Sequence, residues 1–230
     1  MIQIKHFTFN ALREHCYIVW GEDKTCAVVD PGASVPAEQE ELAAALKEND
    51  LHPGAILLTH GHFDHFAGVS YLLKQYPCPV YMHPDDRQTV RIFSSHAPLY
   101  GCTVPDSDFP TEDISDGQTL RIGQMEFQVI HTPGHSPGGV CYYCPAENII
   151  FTGDTLFAGT IGRTDLPLSE YDDLIRSVME KIMPLPADTD IIPGHGPASD
   201  IAFERTHNPF LIPFNAKDPE TGEVEGFYTR

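Results

Sequence analysis

Basic residues are scarce in this chain of 230 residues: 14 Lys and Arg stand against 33 Asp and Glu, a formal net charge of −19 at pH 7. Nucleic acids and anionic membrane surfaces both require clustered cations, so the deficit argues against either as a partner. Long apolar runs are also missing, which excludes a membrane-spanning helix. Residues 1–20 contain no basic segment leading into an unbroken apolar stretch and a small-residue cleavage site. No secretory signal is expected on that basis, and the expected location is the cytoplasm. Cysteine is thinly spread. Cys16, Cys26, Cys78, Cys102, Cys141 and Cys144 are dispersed through a chain large enough to fold without disulfides, and they read as reduced thiols. Cys141 and Cys144 have the spacing of a redox or zinc pair, but they fall on an apparent strand, where positions three apart face opposite ways. No low-complexity tract or linker marks a boundary, so one domain over residues 1–230 is expected.

What is present is an alternation of short strands and helices. Residues 2–9, 16–20 and 26–29 read as strands, and Asp30-Pro31-Gly32 stops the third. Residues 36–49 form the clearest helix, with Pro36 near its start and acids in its first turn. A pattern then repeats: an apolar run ends in a small or kinking residue followed by His or Asp. Residues 55–58 lead into Thr59-His60, residues 127–130 into His131-Thr132-Pro133-Gly134-His135, residues 149–151 into Thr152-Gly153-Asp154, and Ile191-Ile192 into Pro193-Gly194-His195. Buried strands that each deliver a potential ligand at one end imply a single site on one rim of a sheet or sandwich.

The densest segment is Thr59-His60-Gly61-His62-Phe63-Asp64-His65. His60 and His62 are spaced to reach one ion, whereas Asp64 and His65 open an expected helix over residues 64–75 and can point to a second. Imidazole with carboxylate suits zinc or ferrous iron, not calcium or magnesium. A His-rich surface turn is the plain alternative, but it would not require three further His or Asp residues at the ends of three other apolar runs.

These segments resemble the metallo-β-lactamase-fold hydrolases, in the glyoxalase II-like branch of hydroxyacylglutathione hydrolases and their short relatives. The resemblance rests on Thr59 to His65, on Thr132-Pro133-Gly134-His135, on Phe151-Thr152-Gly153-Asp154-Thr155-Leu156-Phe157 continuing to Gly162-Arg163-Thr164-Asp165, and on Pro193-Gly194-His195-Gly196. It spans nearly the whole chain in the family's order. It implies an α/β fold, a four-layer αββα sandwich of two mixed β-sheets flanked by helices. By the same resemblance His60, His62 and His135 hold a first metal, Asp64, His65 and His195 a second, and Asp154 bridges them. Two divalent ions follow, zinc in the first place with iron or manganese as alternatives.

Two such ions share a water, lower its pKa towards neutrality and poise a bridging hydroxide for attack on a carbonyl carbon. A thioester is an apt small-molecule substrate, because its thiolate leaving group needs little protonation. Asp64 is the candidate catalytic residue, orienting the nucleophile and carrying its proton. Arg163 is placed either to bind a substrate carboxylate or to pair with Asp165, and the pairing is favoured. His131 reads as a packing residue, His83 as a helix start, and His6, His15, His52, His96 and His207 as surface or core residues. The segment 92–116 reads as a long loop. After His195 only 35 residues remain (230 − 195), and they offer Arg205, Lys217 and Arg230. Longer glyoxalase II enzymes add a helical domain whose basic residues grip glutathione, so a high KM for a glutathione thioester is expected here. Three other readings stand beside the thioester hydrolase. One is a persulfide dioxygenase-like oxygenase using His60, His135 and Asp154 on one iron; another is a different hydrolase of the fold, such as a lactonase; the last is a binding protein on an inactive scaffold.

Overall fold

The computed structural model describes residues 1–102 and 106–215. Six strands form the first sheet in chain order: β1 (Gln3–Phe9), β2 (Glu14–Trp20), β3 (Thr25–Val29), β4 (His52–Leu57), β5 (Val80–Met82) and β6 (Glu112–Asp113). Pairing is antiparallel from β1 to β3 and parallel from β3 to β6. The parallel half needs crossovers. All three are helical: α1 (Pro36–Glu48) joins β3 to β4, α2 (Phe63–Phe66) with α3 (Val69–Gln75) joins β4 to β5, and α4 (Arg87–Ser94) lies between β5 and β6.

The second sheet contains β7 (Thr119–Ile122), β8 (Met125–His131), β9 (Val140–Cys144) and β10 (Ile149–Gly153). A hairpin, β11 (Leu156–Phe157) and β12 (Thr160–Ile161), intervenes before β13 (Asp190–Pro193) and β14 (Ser199–Asp200) complete that sheet. Its order is β14-β13-β10-β9-β8-β7, and only the β10–β13 pair is parallel. Both sheets are therefore mixed.

The layering follows from the period-2 alternation of side chains along the central strands. Ile18 and Val28 face a cluster with Leu42, Leu46, Phe66 and Leu72 from the helices. Their neighbours Val19 and Val29 face the other way, onto Phe127, Val129, Tyr142 and Phe151 of the second sheet. The outer face of that sheet, with Tyr143, Ile150 and Ile191, is covered by Leu174 and Ile175 of α5 (Tyr171–Ser177) and by Ile201 of α6 (Ile201–His207). Helix, sheet, sheet and helix are stacked as the sequence implied. Strands buried on both faces read as continuous apolar runs, which is the pattern of β2 and β3. Cys141 and Cys144 lie on β9 and enter different clusters, so their side chains are divided between the two faces.

Two expected elements differ. The helix expected over 64–75 is broken at Ala67-Gly68. The Gly68 N–H donates to Pro31 O (2.7 Å) instead of to the Asp64 carbonyl, which accepts from Asn10 Nδ2 (3.0 Å). The segment 92–116 is also not one loop. It holds the end of α4 (Arg87–Ser94), a 3-10 turn over Ala97–Tyr100 and β6. Its polar composition hid the burial of Phe93 and Ala97. The tail bases Lys217 and Arg230 lie outside the described residues, whereas Arg205 donates to the backbone carbonyls of Met183 and Leu185. No described helix is long and apolar enough to cross a membrane.

Candidate metal centre

Strands β4, β8, β10 and β13 end at one edge of the sandwich, and the turns that follow them converge. His60, His62, Asp64, His65, His135, Asp154 and His195 meet there in overlapping groups whose donor atoms lie within 4.8 Å of one another. Close backbone approach makes this possible. Gly153 has φ +49°, and a Cβ there would stand 2.3 Å from Thr59 Oγ1; one at Gly194 would stand 2.5 Å from Asp154 Oδ1.

His62 Nδ1 lies 3.0 Å from His60 Nε2 and 2.9 Å from His135 Nε2. Buried nitrogens this close cannot all be satisfied by hydrogen bonds to one another, because a neutral imidazole has a single N–H. The opposite ring nitrogens decide which atom carries it. His60 Nδ1 faces Thr59 Oγ1 (3.1 Å), whose own proton goes to Asp30 Oδ2 (2.6 Å). His135 Nδ1 donates to Arg163 O (2.8 Å), and His65 Nδ1 to Asp30 Oδ2 (3.0 Å). Each of these contacts fixes the proton on Nδ1 and leaves an Nε2 lone pair aimed into the cluster, the arrangement that orients histidine ligands in metal sites. His65 Nε2, Asp154 Oδ1 and His62 Nε2 are buried without a hydrogen-bond partner, and the His62 ring lies 4.0 Å from that of Phe93. The donor set of imidazoles and two carboxylates fits divalent transition metals.

Asp64 Oδ2 is 3.4 Å from His195 Nε2 and 3.7 Å from His65 Nε2. Asp154 reaches in three directions: Oδ1 is 3.4 Å from His65 Nε2, while Oδ2 is 3.5 Å from His135 Nε2 and 3.6 Å from His195 Nε2. Burial pushes the pKa values of His60 and His62 well down, which keeps them neutral and able to ligate. Burial opposes ionisation of Asp64, but His65 and His195 outweigh it and hold the carboxyl below its ordinary range. Burial likewise opposes the charged form of His65; Asp154, Asp64 and Asp30 together raise it.

Two carboxylates at the site escaped sequence reading. Asp30, the first residue of the Asp-Pro-Gly stop, is buried and also accepts from the Thr59 amide (2.8 Å). Asp86 is buried and accepts from Gly61 N (2.7 Å), Gly138 N (2.8 Å), Ser136 Oγ (2.8 Å) and Thr89 Oγ1 (3.0 Å). It ties the His60–His62 turn to the turn carrying His135. The only signal for either was its position just past an apolar run. A third acid, Glu14, is fully buried beside Gly32 with both oxygens unpartnered, and burial pushes its pKa well up.

The remaining histidines lie apart from the cluster. His131 Nε2 donates to Pro137 O (2.9 Å), and its ring stacks on that of His83 at 4.0 Å and 8°. His83, Asp85 and His131 bring donor atoms within 4.8 Å of one another as a separate group, with His131 Nε2 already bonded to Pro137 O. His6 packs on His15 and Tyr17. His96 differs from its expected placement as an isolated surface or core residue, because it lines a cavity of about 520 Å³ above the cluster. Arg163 lines the same cavity, with its guanidinium paired to Asp165 by two hydrogen bonds (2.9 and 2.8 Å).

Comparison with known proteins agrees with this architecture. The family profile described as the metallo-beta-lactamase superfamily matches residues 10–195. The hydroxyacylglutathione hydrolase GloC of Haemophilus influenzae is 33% identical over 212 residues, covering 91% of this chain and 98% of GloC. Two solved structures superpose with a TM-score of 0.81 at 37% identity. TTHA1623 in a di-iron-bound form is covered over 100% of its length and 90% of this chain. The BLEG-1 B3 metallo-beta-lactamase is covered over 99% of its length and 91% of this chain.

Proposed function

The chain belongs to the metallo-β-lactamase superfamily, and from that premise we propose that it is a hydrolase of small-molecule thioesters that works with two divalent metal ions, zinc first and iron or manganese next. The observation that carries this reading is the placement of Asp154, whose two oxygens face His65, His135 and His195 at 3.4–3.6 Å. A carboxylate so placed suits a bridge between a group of His60, His62 and His135 and a group of Asp64, His65 and His195. When bound, a pair of divalent cations supplies Lewis acidity and acidifies water.

The chain's own residues supply the rest. Asp64 lies on the cavity floor with His62, His135, Asp154 and His195. Its Oδ2 sits 3.4 Å from His195 Nε2 and 3.7 Å from His65 Nε2, at the level of the converging donors, which places it to orient the attacking nucleophile and to carry its proton. A thiolate leaves without a strong general acid, which matches a floor whose acids are both engaged with histidines. The name of GloC supports the thioester. The likeness to BLEG-1 favours a second reading, opening of a β-lactam or lactone ring on the same floor. An oxygenase would use only three of the converging donors.

The test is a hydrolysis assay on S-acyl thiols, β-lactams and lactones with metal-replete protein, run beside an oxygen electrode. Thiol release without oxygen uptake is expected. Oxygen consumption with a persulfide, or turnover of the cyclic substrates alone, would overturn the proposal.

A further inference from the structure

The cavity above the cluster has walls unlike its floor. Leu12, Phe63, Phe93, Leu99, Tyr100 and Leu166 rise around it, and the rings of Phe63 and Tyr100 lie 5.7 Å apart. Phe63 and Phe93 are anchored in the core, whereas Leu99 is 80% exposed and Tyr100 45% exposed at the rim. Both rim residues sit on the 3-10 turn over Ala97–Tyr100. At about 520 Å³ the space is that of a small-molecule pocket, far more than a two-carbon acyl group fills.

Charge around the opening points the same way. Apart from the histidines of the floor, the lining bases are Arg163 and His96. The planar fork of Arg163, the feature that recognises carboxylates, is already occupied by both oxygens of Asp165. The chain as a whole is strongly anionic, which repels anionic substrates at long range. A substrate rich in carboxylates gains little here, and one with an apolar arm gains a wall.

We propose that the acyl part of the thioester is an apolar aliphatic group longer than acetyl, seated against Leu12, Phe63, Phe93 and Leu166 and closed at the rim by Leu99 and Tyr100. The inference rests on the thioester reading. The reaction is a hydrolysis: the water oxygen bonds to the carbonyl carbon, the C–S bond breaks, and carboxylate and thiol leave with the released proton taken by solvent or thiolate.

The test uses metal-replete full-length protein and the acetyl, butyryl, hexanoyl and octanoyl thioesters of N-acetylcysteamine, with S-lactoylglutathione for comparison. A fully buried methylene contributes about fourfold in kcat/KM, and the open rim reduces this, so a rise of roughly tenfold from acetyl to hexanoyl is expected. Leu99→Ser removes an exposed side chain without touching the core, and it is expected to lower the hexanoyl-to-acetyl ratio at least threefold. The non-hydrolysable S-hexyl thioether gives a readout apart from turnover, namely binding by calorimetry with a negative heat-capacity change. A flat series, or a preference for S-lactoylglutathione that Arg163→Ala abolishes, overturns this inference alone. Binding of the thioether with no hydrolysis of any thioester overturns the proposed reaction, and the inference with it.

Discussion

Asp30 offers a sharp perturbation because its three contacts are of known kind. Its carboxylate accepts from Thr59 N, from Thr59 Oγ1 and from His65 Nδ1 at 2.8, 2.6 and 3.0 Å, in a site closed to water. Asp30→Asn keeps the shape but supplies one acceptor and one donor. The amide oxygen can still take the Thr59 amide; the NH2 then faces a hydroxyl proton and an imidazole proton. Thr59 can rotate its hydroxyl. His65 can escape only by moving its proton to Nε2, the atom that faces Asp64 and Asp154. A hydrogen bond to a charged group contributes about 1.5–3 kcal/mol, so the affinity of the Asp64, His65 and His195 group for metal should fall about 10- to 100-fold. The His60, His62 and His135 group should change less, through Thr59 alone. Competition against a chromophoric chelator resolves the two affinities, and a thermal melt of the metal-free variant checks the fold. Two affinities within twofold of the parent protein would refute the tautomer argument.

Three further outcomes follow. Asp64→Asn should lower kcat on a thioester at least 100-fold while elemental analysis still finds metal, and near-full activity would remove Asp64 from proton handling. Glu14 bears on stability: burial raises its folded pKa, so its contribution is fully present below the ordinary carboxyl range and is lost as pH climbs towards the raised value. Glu14→Gln cannot ionise, so in the presence of chelator its Tm should gain on the parent protein from pH 5 to pH 8, and a constant difference would mean that the folded pKa of Glu14 is not raised. S-lactoylglutathione should show a millimolar KM in steady-state kinetics, at the top of the usual range, because a net charge of −19 repels an anionic thioester; a micromolar value would refute this.

Much of the layout was legible in the sequence because the signal was periodic or punctuated. The alternation in β1, the continuous apolar runs of β2 and β3, and the His or Asp after each apolar run carry information residue by residue. What stayed hidden depended on partners distant in the chain. The helix over 64–75 breaks because Pro31 and Asn10 claim groups that its ladder would use, and neither is visible from within the segment. Asp30 resembled an ordinary turn residue and Asp86 only followed the helix start read at His83, since a buried acceptor is recognised only by the donors that fold onto it. The wall formed by Phe93, Leu99 and Tyr100 was concealed in a stretch whose polar composition reads as loop.

The central claim is that His60, His62, Asp64, His65, His135, Asp154 and His195 hold two metal ions with Asp154 between them. Elemental analysis of the protein, purified without added metal and then supplemented and desalted, tests this most directly. The expected result is two ions per chain, falling to one or fewer in Asp154→Ala. A parent protein that never exceeds one ion per chain would contradict the account and favour a single-iron centre.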